Sequence, residues 1–187
     1  MIFPNGYYSA GTVNKAAEFA KSGGTLIGMG DALSSFKNNE NFNLGSKVIN
    51  YDNSADLGAY SSRERRSISN YITGAIFKAN LDTSHPLAFG YSSEYFSLKL
   101  SGRSYDLLSN GGVNIGYFPR NASAVSGFAG YKAAEQVPES LLFGEQNMGR
   151  GTVIYMVDNP LFRSFWQEGK LFMANAVFLC NSDKFRL

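Results

Sequence analysis

The chain has 187 residues, 44% of them hydrophobic and 17% charged, enough to fill the core of one domain and too apolar for a disordered segment. Lys+Arg 17 against Asp+Glu 15 leave a formal net charge of +2, too balanced to point to nucleic acid or an anionic membrane surface. The one histidine, His85, and the one cysteine, Cys180, exclude an internal disulfide and the usual His/Cys zinc cages.

In chain order, Ile2-Phe3 reads as the end of a strand and Pro4-Asn5-Gly6 as a turn. Thr12 is the predicted N-cap of a helix. Its Val13, Ala16, Ala17, Phe19 and Ala20 recur at helical spacing, and Gly23-Gly24 end it. Thr25–Met29 is a short apolar run of the kind found in a buried parallel strand, so this part reads as an α/β unit. Residues 34–62 are rich in Ser, Asn, Lys and Gly and read as a long surface loop or insertion. Arg63-Glu64-Arg65-Arg66 reads as a short solvated helix.

Beyond Gly74 the pattern is β-rich, with strands expected at 75–81, 94–100 and 112–118. His85 lies in a turn between the first two, where Pro86 stops any helix. A short helix is expected within 128–137. Residues 140–144 and 152–157 read as a hairpin around the Gly-rich segment 147–151, and a final helix spans about 165–179. No run approaches the roughly 18 apolar residues of a membrane span, so no membrane insertion is expected.

Gly28-Met29-Gly30 follows a strand, but Leu33 stands where a dinucleotide fingerprint needs its third glycine. The same turn has the position of a nucleophile elbow, yet Met29, Gly30 and Asp31 offer neither Ser nor Cys. Asp31 reads as the cap of the next helix, with a role as nucleophile or base as the competing reading. His85, placed before a proline in a turn, favours an orienting hydrogen bond over general-base or metal duty. Cys180 ends an apolar run and reads as core packing. Asp158-Asn159-Pro160-Leu161-Phe162-Arg163 follows an apolar strand, where open α/β sheets place ligands. An internal Asp158–Arg163 pair or a helix cap is its favoured structural reading, with Phe162, Phe165 and Trp166 under the sheet. Tyr7, Tyr8, Tyr51, Tyr60, Tyr91 and Tyr95 fall at loop or edge positions that suit stacking on sugars or on another domain. The candidate binding residues are therefore Asp158, Asn159, Arg163, His85 and Asp31, and no residue is assigned to catalysis or to a metal.

Four blocks occur in order: Ser22-Gly23-Gly24-Thr25-Leu26-Ile27-Gly28, then Leu81-Asp82-Thr83-Ser84-His85-Pro86-Leu87-Ala88-Phe89-Gly90-Tyr91, Val125-Ser126-Gly127-Phe128, and Asp158-Asn159-Pro160-Leu161-Phe162-Arg163-Ser164-Phe165-Trp166. Together they resemble the C-terminal region of large bacterial zinc carboxypeptidases. That region is similar to class I glutamine amidotransferases and to the amidotransferase-like module of some β-galactosidases. The likeness covers nearly the whole chain, and its most specific block is the last.

The resemblance implies one α/β domain over 1–187, flavodoxin-like or class I glutamine amidotransferase-like. It has a mainly parallel sheet, a C-terminal β-hairpin and flanking helices, with a β-α-β stretch missing ahead of Ile2. Zinc and its His-x-x-Glu ligands are expected only in a separate peptidase domain, so no cofactor is expected in this chain. Gly30 stands where the amidotransferase nucleophilic Cys belongs, and no late His-x-Glu exists. The implied function is a non-catalytic accessory domain for interdomain docking or substrate presentation, in a periplasmic or extracellular protein. Its implied partners are the peptidase domain of the parent chain and further copies of itself. A carbohydrate or cell-wall fragment binding module is the alternative. A hydrolase using Cys180 or Asp31 with His85 is a third reading, which requires those groups to converge.

Overall fold

The computed structural model describes residues 1–37, 39–47 and 58–180. Connection length decides how its strands pair, because parallel neighbours need a crossover while antiparallel ones need only a turn. Helix α1 (Ala10–Lys21) is such a crossover, and the strands it joins, β1 (Ile2–Phe3) and β2 (Thr25–Met29), are parallel. Strand β2 is also parallel to β8 (Gly151–Met156). The remaining strands are β3 (Ile72–Leu81), β4 (Glu94–Lys99), β5 (Gly112–Phe118), β6 (Ala124–Ala129) and β7 (Ser140–Met148). All their pairings are antiparallel: β3 with β4, β5 and β6, and β7 with β5 and β8. The sheet order is β1-β2-β8-β7-β5-β3-β4, with β6 beside β3.

The sheet is therefore mixed, and the expectation of a mainly parallel one is corrected. Beyond β3 the strands are joined by turns and short segments. The C-terminal hairpin is as expected. It closes through Gly149-Arg150, where the φ of +62° at Gly149 suits glycine. Strand β3 meets β4 on one side and is shared on the other by β6 along its first half and β5 at Asn80 and Leu81. Register shifts along the β6 pairing accompany this division, and the sheet curls.

Each face of the sheet holds a core. On one, Val13, Ala16, Ala17 and Ala20 of α1 and Leu33 and Phe36 of α2 (Ala32–Phe36) pack against Leu26, Val153 and Tyr155. On the other, Phe172 and Ala176 of α5 (Gln167–Phe178) pack against Ile27, Ile154 and Phe143. Leu26 and Ile27 belong to opposite faces, as the period of two along a strand requires. Phe172 stacks between Phe143 and Tyr91, with ring centroids 3.9 and 4.2 Å away.

Several local expectations change. Ser9, not Thr12, caps α1: its Oγ accepts from the Thr12 N–H at 3.3 Å. Within 34–62, Phe42 and Leu44 are buried and Phe42 stacks on Phe36, so that part of the segment is core; residues 38 and 48–57 lie outside the described residues. Helix α3 (Arg63–Ile68) forms at the basic run, as expected. Strand β6 occupies residues assigned to loop and the start of a helix, and the helix there is the short α4 (Tyr131–Ala134). No β6 residue is fully buried, so the strand carries no apolar alternation to read. Phe165 is exposed and packs edge-on against Phe162 and Trp166 at the rim, not under the sheet. Tyr7 and Tyr60 are exposed, Tyr95 is buried, and Tyr51 lies outside the described residues. Among the described residues no helix is long and apolar enough to cross a membrane.

The aromatic stack carries a test. Phe172→Ala should cost about 3–5 kcal/mol in urea unfolding. Phe178→Ala, six residues on and 78% exposed, should stay within about 0.5 kcal/mol of the parent.

Candidate functional site

Strand β2 ends in a sharp bend toward α2, at the carboxyl ends of the parallel strands where α/β sheets bind ligands. Gly30 occupies the bend with a φ of +57°, a left-handed conformation that glycine adopts at little cost. In a nucleophile elbow the reactive side chain stands here, and the next backbone N–H helps to hold the oxyanion. That N–H belongs to Asp31, and the side-chain amide oxygen of Asn5 accepts from it at 2.6 Å. A Cβ added to Gly30 would overlap the same Asn5 oxygen. The turn after β1 thus fills both the nucleophile position and the oxyanion position.

Asp31 does not cap α2 through its side chain; its carboxylate pairs with Arg103. Arg103 also donates to Ser34 Oγ at 3.2 Å and Tyr7 Oη at 3.3 Å. Asp158, just past β8, accepts from Ser97 Oγ at 2.7 Å and from Lys99 Nζ at 3.2 Å. Lys99 is completely buried, donates to the Arg103 carbonyl at 3.0 Å and lies over the Phe118 ring. A buried ammonium is tolerated only with such partners.

The expected Asp158–Arg163 pair therefore gives way to Asp158–Lys99. Asn159 Oδ1 accepts from the Leu161 N–H at 2.9 Å, which turns the chain, and Arg163 follows with a φ of +48° and an exposed side chain over Phe162. Asn5, Gly30, Asp31, Arg103, Asp158 and Asn159 contribute to one cavity of about 130 Å³. Ordinary ligand pockets span roughly 300–1,000 Å³. Asp31, Asp158 and Asn159 are brought together here; Arg163 and His85 are not among its lining residues.

His85 belongs to a second cluster. Its Nδ1 accepts from the Leu87 N–H at 3.1 Å, the orienting bond expected before Pro86. The ring proton is then on Nε2, which faces Glu145 Oε2 at 3.4 Å. Cys180 completes the group: one donor atom of each of His85, Glu145 and Cys180 lies within 4.8 Å of the other two. Burial lowers the His85 pKa against the opposing pull of Asp82, and burial raises that of Glu145. The Cys180 thiol is pushed up to about 12 by burial and then by Glu145. With Nδ1 engaged and Nε2 protonated, the imidazole has no lone pair to accept the thiol proton, so the cluster lacks the activated pair of a cysteine hydrolase. Asp31 lies in the other group, paired with Arg103. Lys99, Arg103, Asn5 and Glu145 are residues that sequence reasoning missed; a lysine alternating with apolar neighbours in a strand reads as solvated.

No family model matches the chain, and no curated protein matches it. Solved structures do. A protein described as ThuA-like from Parabacteroides merdae is similar at 14% identity and a TM-score of 0.50, covering 94% of this chain and 68% of that one. A cytoplasmic protein from Salmonella typhimurium is 11% identical over 94% of this chain and 63% of its own, with a TM-score of 0.49. A β-galactosidase from Rahnella sp. R3 is 13% identical, with a TM-score of 0.42, over 89% of this chain and 20% of the enzyme. This chain thus spans less than two thirds of the Salmonella protein and a fifth of the β-galactosidase. At such identities the likeness concerns the fold, a mixed α/β arrangement similar to ThuA-like proteins. None of the three is a zinc carboxypeptidase.

The buried ion pair and the filled elbow can be tested separately. Asp158→Ala, which strands the Lys99 ammonium, should cost about 3–5 kcal/mol in urea unfolding, and adding Lys99→Met should return much of that loss. Gly30→Ala should cost about 1–3 kcal/mol through its left-handed backbone and the Asn5 overlap. An Asn5→Ala background should remove part of the Gly30→Ala penalty; the same penalty in both backgrounds would show that Asn5 does not fill the elbow.

Proposed function

We propose that this chain is a non-catalytic accessory domain that docks against, or presents substrate to, the catalytic domain of a zinc carboxypeptidase. The observation that carries the non-catalytic part is the filled elbow: Gly30 offers no nucleophile, and Asn5 takes up the Asp31 N–H. The charged groups beside it are neutralised within the chain, Asp31 by Arg103 and Asp158 by Lys99. Such internal pairing leaves little charge free to act on a substrate. The peptidase partner rests on the sequence resemblance alone. Exposed apolar side chains at Phe96, Val125 and Phe165 border one groove and supply a surface suited to interdomain contact.

The carbohydrate-binding alternative has less support. Asp158 is engaged by Ser97 and Lys99, and the cavity of about 130 Å³ is small for a glycan.

The encoding locus and a binding measurement test the docking reading together. A His-x-x-Glu peptidase domain should be encoded in the same frame or beside it. Co-purified with that domain, the chain should form a one-to-one complex by light scattering, and Val125→Asp with Phe165→Asp should weaken it at least tenfold. Absence of such a domain, or a complex indifferent to both substitutions, would remove the reading.

A further inference from the structure

His85, Glu145 and Cys180 come from three separate parts of the chain and meet on the α5 face of the sheet. Asn175 of α5 anchors both His85 and Cys180, and the sheet places Glu145. His85 precedes Pro86 in a short 3-10 turn, Pro86–Ala88, which Asn175 of α5 holds by donating to the carbonyls of Leu87 at 2.9 Å and Phe89 at 2.8 Å. Cys180 follows α5, and its N–H donates to the Asn175 carbonyl at 3.1 Å. Thr25, at the opposite end of β2 from Gly30, donates through Oγ1 to the Cys180 carbonyl at 3.5 Å. Glu145 stands within β7, paired on its two sides with Val113 and Ile154.

One edge of the cluster has the spacing of two metal ligands, and the Cys180 sulfur lies within 4.8 Å of both. The 3.4 Å between His85 Nε2 and Glu145 Oε2 is long for a good N–H···O bond. It matches the edge between two ligands of a tetrahedral zinc, roughly 3.3–3.5 Å for bonds of about 2.0–2.2 Å. The electrostatics agree. Among the described residues no lysine or arginine forms an ion pair with Glu145. A divalent cation would supply the missing positive charge.

We propose that His85, Glu145 and Cys180 form a three-ligand site for a zinc-class divalent cation, with a fourth position open to water. A ligand set of thiolate, imidazole and carboxylate suits zinc over magnesium or calcium. The His85 and Glu145 side chains are 17% and 20% exposed, which gives the ion a way in. On binding, the Cys180 thiol gives its proton to water as the sulfur–metal bond forms. The His85 ring proton exchanges through water from Nε2 to Nδ1, freeing Nε2 for the metal. The Leu87 N–H loses its acceptor, one hydrogen bond set against three metal bonds. This inference is independent of the docking role.

The chain has one imidazole and one thiol, so each spectroscopic signal has a single source. Titrating the purified, reduced chain with Co²⁺ should produce a thiolate-to-cobalt charge-transfer band that saturates at one equivalent. On adding Zn²⁺, nitrogen NMR should show the His85 ring proton moving from Nε2 to Nδ1. Cys180→Ser should abolish the band, and Glu145→Gln and His85→Gln should each weaken Co²⁺ binding about tenfold or more. Thermal unfolding without metal establishes that each variant is folded. Absence of the band in the parent chain, an unchanged His85 signal with Zn²⁺, or equal affinity in folded variants would overturn the proposal.

Discussion

The buried ammonium of Lys99 is the constraint around which the structure closes. It lies on β4, at one edge of the sheet, while its carboxylate partner Asp158 lies at the end of β8, four positions away in the strand order. The two meet only because the sheet curls. An unpaired charge at a fully buried position is far more costly than an unmade surface contact, so arrangements that leave β4 elsewhere are penalised. With β4 fixed, Arg103 just beyond it reaches Asp31, Ser34 and Tyr7. One ion pair thus sets where the edge strand stops and which groups surround the end of β2.

The two ends of β2 differ in chemistry. At its carboxyl end the elbow is shaped like a reaction centre and is occupied by the chain itself, through Asn5. Toward its amino end lie groups that are less fully satisfied: a carboxyl and a thiol, both disfavoured as anions by burial, beside a histidine held by its other nitrogen. Satisfied polar groups rigidify a fold, whereas partly satisfied ones mark where something else belongs. The reactive-looking position is therefore the one the chain itself occupies. The His85 cluster, on the helix-covered face, is the more open to chemistry.

The local elements were legible where the apolar pattern is local. The face of α1, the apolar run of β2, the alternation of β3 and the β7–β8 hairpin all place their buried residues at the spacing their own backbone requires. The same reasoning located the candidates Asp31, Asp158, Asn159 and His85, because strand ends and Pro-containing turns are visible in sequence. It failed where burial comes from elsewhere in the chain. Strand β6 has no buried side, and Phe42 and Leu44 are isolated apolar residues whose partners, such as Phe36, are supplied by the fold.

The α/β character, the absence of a nucleophile at the elbow and the orienting bond of His85 can be read along the chain. These depend on residue type and on neighbours within a few positions. Tertiary structure alone decided that most pairings are antiparallel, that Asp158 answers Lys99 and not Arg163, and that Glu145 and Cys180 come to His85. Each of these joins groups 35 to 95 positions apart in the numbering, such as His85 with Cys180, or turns on the curl of the sheet. Periodicity carries no information about such distances, since the spacing of apolar residues fixes which face is buried but not which strand lies against it.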